Sequence, residues 1–128
     1  MGASSWLRLP ITGDLATTRE RIRDFAEVSS MSPERIGDLI LAVNEGVTNV
    51  LDHAGGRGEL TLRSDDDGLT VVIADDTDLL TSAHLRREPG ETPTRGMGLW
   101  IIQQLCDLVT VEHTGGRSVL SLYMRHAG

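Results

Sequence analysis

Between Ser32 and Ala54 apolar residues recur at helical spacing, and this run constrains the fold more than any other. Ile36, Leu39, Ile40, Val43, Val47, Val50 and Leu51 follow one another at intervals that gather them on one side of an α-helix, as a wide core-facing stripe. Leu41, Ala42 and Gly46 leave little of the remaining circumference hydrophilic. Inside this setting Glu45 and Asn49 stand four residues apart and project from one face, with Asp52 and His53 one turn further on. A carboxylate there can accept a proton, and a carboxamide can offer a neutral oxygen to a hard cation. The pair therefore fits nucleotide chemistry, and a solvated helix face is the alternative reading.

The flanking residues set the order of the other elements. Ser32, Pro33 and Glu34 suit the N-cap, first position and first turn of this helix, which runs to about His53. Before it, Trp6, Leu7, Leu9 and Ile11 with Pro10 predict an edge strand, and Asp14 or Thr17 caps a helix through about Val28. After it, Leu60 and Leu62, then Leu69, Val71 and Ile73, alternate about Asp65-Asp66-Asp67-Gly68 and predict a hairpin. The Asp65 to Asp67 run lacks the ligand ladder of a calcium loop and reads as a solvated turn. A long loop follows, about 79–97, as a candidate lid. A helix over Leu99 to Cys106, a strand over Leu108 to His113 and a final strand over Ser118 to Met124 complete one domain, 1–128.

Composition narrows the function classes. A net charge of −7 leaves no basic stripe to displace counterions from a nucleic acid, so a protein or small-molecule partner is expected. With one Phe, one Tyr and two Trp the core must be aliphatic. Cys106, the one cysteine, sits in an apolar run and reads as a small core residue in a reducing compartment. No stretch approaches the roughly 20 apolar residues of a membrane span, so a cytoplasmic protein is expected, without membrane contact. His84, His113 and His126 read as loop or strand surface residues, and His53 suits a helix C-terminus.

Two further positions complete a pattern. Gly96-Met97-Gly98 precedes a helix, where glycines permit close backbone approach and the helix N-terminus presents unpaired N–H groups to a phosphate. Asp75 ends a strand, where a buried carboxylate can accept a hydrogen bond from an exocyclic amine. With these in order, the sequence resembles the GHKL, or histidine-kinase-like, Bergerat-fold ATPase superfamily, and especially its small anti-sigma-factor serine protein kinases. Glu45 to Ala54 is similar to that family's N box, and Arg95-Gly96-Met97-Gly98-Leu99-Trp100-Ile101-Ile102 to its second glycine box.

The resemblance implies a two-layer α/β (α+β) sandwich with a mixed, mainly antiparallel sheet covered on one face by helices. It implies ATP and Mg²⁺ as cofactors, with Asn49 holding the metal, Glu45 as general base toward a partner's serine, and Asp75 reading the adenine amine. Arg95, Gly96, Met97, Gly98 and Leu99 would surround the phosphates, and Ser118 would stand near the adenine. The implied partners are an anti-anti-sigma (STAS) protein, a sigma factor and a second copy of the chain, with the first helix and strand as its interface. One departure separates this chain from the family: where Asp-x-Gly-x-Gly is usual, it has Asp75-Asp76-Thr77-Asp78-Leu79. Thr77 and Leu79 place side chains where adenine approaches backbone, and Asp76 and Asp78 add negative charge near a polyanion. A pseudokinase that captures sigma or STAS partners with weak or no ATP use is therefore the alternative.

Overall fold

The computed structural model describes residues 5–53, 58–75 and 97–126. Its elements are β1 (Ser5–Pro10), α1 (Leu15–Val28), α2 (Pro33–His53), β2 (Gly58–Ser64), β3 (Gly68–Asp75), α3 (Met97–Leu105), β4 (Leu108–Thr114) and β5 (Arg117–Arg125). The strands form one sheet in the order β1-β2-β3-β5-β4, and all four pairings are antiparallel. The expectation of a mainly antiparallel sheet holds, and none of the described pairings supplies a parallel, mixed component. Hairpin turns suffice for β2–β3 and β4–β5.

The period-2 alternation of the strands makes one side of the sheet apolar. Leu60, Leu62, Leu69, Val71, Ile73, Leu120, Leu122 and Met124 are all buried, and the register sets Leu60 opposite Ile73 and Ile73 opposite Leu120. Against them α2 brings Ile36, Leu39, Val43, Val47 and Val50, also buried. Each such side chain contributes about 1.5–3 kcal/mol on burial, so the helix layer and the sheet stabilise each other. No aromatic residue is among the fully buried side chains. Trp6 faces away from the core at 65% exposure, 5.6 Å from the Arg63 guanidinium across the β1–β2 pairing.

Local chemistry sets the helix ends. The Asp14 carboxylate accepts from the Thr17 N–H at 3.1 Å and its hydroxyl at 2.7 Å, which caps α1 and holds the Asp14 carboxyl below its usual range. The Ser32 hydroxyl accepts from the Arg35 N–H at 3.3 Å and so caps α2. In the β2–β3 turn the Asp65 carboxylate accepts the Asp67 and Gly68 N–H groups at 2.9 and 3.0 Å, so this acid serves its own turn.

A clamp invisible in the sequence joins the layers beside the α2 N-terminus. Arg35 pairs with Asp107, and its Nε donates to the Arg125 carbonyl at 3.2 Å. The same Asp107 oxygen accepts the Arg125 N–H at 2.8 Å. That backbone donor, followed by the Arg35 charge, holds the Asp107 carboxyl below the usual carboxylate range. His126, expected at the surface, is a correction: its backbone bridges Ser32 and Asp67, and its Nε2 is enclosed without a hydrogen-bond partner among the described residues. Two long-range backbone bonds draw it in, which no local pattern signals. Cys106 packs partly buried against the core, and burial pushes its thiol up to about 12.

Three outcomes follow from these contacts. Gly37, exposed on α2 with nothing near an added Cβ, is expected on replacement by Ala to raise unfolding free energy by about 0.5–1 kcal/mol, seen as a higher urea midpoint at unchanged m. Asp107→Asn should lower the melting temperature at pH 7. Because the folded carboxyl is depressed, its stabilisation is complete above the unfolded value near ~4 and fades as pH falls through the folded one, so the two melting curves should converge in acid. Iodoacetamide should alkylate Cys106 at pH 8 far more slowly in the folded protein than in urea; equal rates would contradict its burial.

Candidate functional site

The inward-facing rows of β3 and β5 change character at one end. Leu69–Met124, Val71–Leu122 and Ile73–Leu120 are apolar pairs, and the next pair in register is Asp75–Ser118. Asp75 is 2% exposed and Ser118 is 0% exposed, and both are engaged by partners. A carboxylate at this depth is costly unless held by hydrogen bonds, so its place at the end of an apolar row marks a polar floor.

The direction of α2 over this sheet follows from two close approaches. A Cβ on Gly46 would meet Ile73 and Leu120, whereas one on Gly58, the register partner of Asp75, would meet Val50 Cγ1 at 3.3 Å. The helix therefore advances toward Asp75 as its numbering rises, and Asn49 reaches the level of the Asp75–Ser118 pair. The direction of α3 follows in the same way. Asp107, just past its end, meets Arg35, and Ile102 Cδ1 lies 3.8 Å from the added Gly46 Cβ, so α3 runs antiparallel to α2. Its N-terminus points toward the end that holds Asn49 and Asp75. The first-turn N–H groups of a helix have no partner within the helix and carry partial positive charge.

Thus Glu45, Asn49, Asp75, Ser118 and the start of α3 come to one end of the molecule. Met97 and Gly98 belong to the first turn of α3 rather than preceding it. The apolar run alone starts that helix at Leu99, because first-turn residues need no internal N–H partner and carry no apolar signal. Leu99 itself is fully buried. Thr77, Arg95 and Gly96 lie outside the described residues, as do Asp76, Asp78, Leu79 and His84.

Asn49 carries an unsatisfied polar group at this end. Its residue is half-buried, yet its Nδ2 is enclosed and has no hydrogen-bond partner among the described residues. An amide donor shut away from water in this manner costs about 1–3 kcal/mol. An anionic oxygen would satisfy it and leave Oδ1 to face a cation, so the donor set fits a metal-bound polyphosphate. Glu45 is half-buried on the preceding turn. Asn44, which the sequence pattern does not single out, also has an enclosed Oδ1 without a hydrogen-bond partner among the described residues. The only available signal was a carboxamide set among Ile40, Val47 and Leu51 on the apolar edge of the stripe.

Comparison with known proteins identifies the fold and the family. The serine-protein kinase RsbW of Bacillus cereus (strain ATCC 10987 / NRS 248) is 26% identical over 89% of this chain and 80% of its own length. RsbW of Bacillus subtilis (strain 168) is 31% identical over 67% of this chain, which spans 62% of that protein. Among solved structures, the RsbU and RsbW domains of a Mycobacterium tuberculosis protein superpose with a TM-score of 0.68 at 16% identity, over 96% of this chain and 32% of that one. The SiaB–SiaC complex from Pseudomonas aeruginosa gives 0.59 at 18% identity, over 94% of this chain and 89% of that one. Both structures share the fold. A family model for the histidine kinase-like ATPase domain matches residues 11–124, from just past β1 into β5, and the chain belongs to that family.

Proposed function

We propose that this chain is an ATP-dependent serine protein kinase and anti-sigma factor, which phosphorylates an anti-anti-sigma STAS partner and sequesters a sigma factor. The enclosed Nδ2 of Asn49, without a hydrogen-bond partner among the described residues and at the level of the buried Asp75–Ser118 pair, carries this reading. Similarity to RsbW serine-protein kinases and the family match support it.

In this reading Asp75 accepts a hydrogen bond from the adenine amine, with Ser118 beside it. Asn49 holds Mg²⁺ through Oδ1 and a phosphate oxygen through Nδ2. Gly96, Met97, Gly98 and Leu99 place the N–H groups of the α3 start around the phosphates, Arg95 adds a cation, and Thr77 borders the adenine. Glu45 takes the proton from the partner's serine hydroxyl. The metal, when bound, neutralises phosphate charge; transfer of this kind depends chiefly on positioning and electrostatics. A homodimer through α1 and β1 belongs to the same proposal, with the exposed Trp6 and Val28 on those elements.

The sequence Asp75-Asp76-Thr77-Asp78-Leu79 favours a second reading, a partner-binding module with weak or no ATP use. Calorimetric titration of Mg-ATP separates the two. Saturable binding that Asn49→Ala weakens at least ten-fold supports the kinase, and none at millimolar ATP supports the module. Glu45→Ala should retain ATP yet lower phosphorylation of a STAS substrate by about 10²–10⁴-fold, the range for loss of a general base. Lost ATP binding with undiminished transfer would overturn the assigned roles. Replacing Thr77 and Leu79 together by Gly should raise ATP affinity where the altered box limits it; no change in a tight binder removes the second reading.

A further inference from the structure

Gly46 occupies the middle of α2, where glycine weakens a helix relative to alanine. A Cβ built on it would lie 2.5 Å from Ile73 Cδ1, 3.4 Å from Leu120 Cδ2 and 3.8 Å from Ile102 Cδ1. Gly37, two turns earlier, would meet nothing within 4 Å. The helix thus makes a close approach to the sheet at Gly46, above the Ile73–Leu120 pair. That pair is the register neighbour of Asp75–Ser118. Ile73 is 1% exposed and Ile102 and Leu120 close the same spot, so its methyl has no solvent to turn into.

We propose that Gly46 is a positioning residue: by lacking a side chain it lets α2 settle onto Ile73 and Leu120, and this sets the distance between Asn49 and Asp75. The inference rests on reading those two residues as the metal and adenine ends of one nucleotide site. Carbon atoms pack at about 3.5–4.0 Å, so a methyl at position 46 must displace either Ile73 Cδ1 or the helix by about 1 Å, and with Ile73 enclosed by Leu120 and Ile102 the helix takes up the displacement. Asp75 does not share the shift, because β3 is paired on both sides, to β2 and β5. The gap therefore opens between the helix-borne and strand-borne halves of the site. A misplacement of about 1 Å can cost of order 10²-fold in function.

The test is titration of ATP, with Mg²⁺ and separately in excess chelator, into the wild type, Asn49→Ala, Gly46→Ala, the double variant Gly46→Ala/Ile73→Val, and Gly37→Ala. Gly46→Ala should lower Mg-ATP affinity by about ten-fold or more and affinity in chelator by a smaller factor, because the Asn49 Oδ1 contact to the metal is lost only when the metal is present. Ile73→Val removes the Cδ1 that clashes, so the double variant should recover to within about three-fold of the wild type. Gly37→Ala controls for helix composition and should bind as the wild type does. Unchanged Mg-ATP affinity in folded Gly46→Ala overturns the inference, as does an equal loss with and without Mg²⁺, or a double variant that folds without recovery. Should Gly46→Ala alone not fold, the double variant carries the test, and its failure to fold also overturns the inference. A wild type whose ATP binding is insensitive to Mg²⁺ and to Asn49→Ala overturns the underlying nucleotide reading, a result distinct from all of these.

Discussion

The seating of α2 on the inner face of the sheet is the contact on which the other features depend. Its apolar stripe covers β3 and β5, and its remaining faces meet α1 and α3. The helix is 21 residues long, and packing rather than propensity stabilises it, since it tolerates two glycines in its length. The same seating delivers a carboxylate and a carboxamide to the end of the sheet where its apolar rows stop.

That end is built by a change of residue type within an unchanged register. Asp75 continues the inward alternation of Leu69, Val71 and Ile73, and Ser118 that of Leu120, Leu122 and Met124. The backbone needs no special device to aim them; the pleat does so. Core and site are consecutive stretches of one surface, so changes in core packing reach the site directly.

Much of this was legible in the sequence because the signals were periodic. The strand alternation about Asp65-Asp66-Asp67-Gly68, the helical spacing from Ile36 to Leu51, and the Asp14 and Ser32 caps each depend on neighbours a few residues apart. Contacts between residues distant in sequence were not legible. The Arg35–Asp107–Arg125 clamp, the enclosure of His126 and the stacking of Arg63 on Trp6 have no local pattern. The site was partly legible: Glu45 and Asn49 announce themselves against an apolar background, whereas the depth of Asp75 and Ser118 depends on which strands pair. In the sequence Gly46 stands outside the apolar stripe as one more non-hydrophilic position, and only the distance from an added Cβ to Ile73 shows how closely α2 approaches the sheet there.

The pairing of β3 with β2 and β5 fixes Asp75 from both sides, and the burial of Leu99 and Ile102 fixes α3 against the core. Both anchors of the segment that joins them are thus held by contacts made elsewhere in the fold. The relative positions of Asn49, Asp75 and Ser118 are a property of the sheet and α2, so a relative can differ in sequence between β3 and α3 and still present the same polar end.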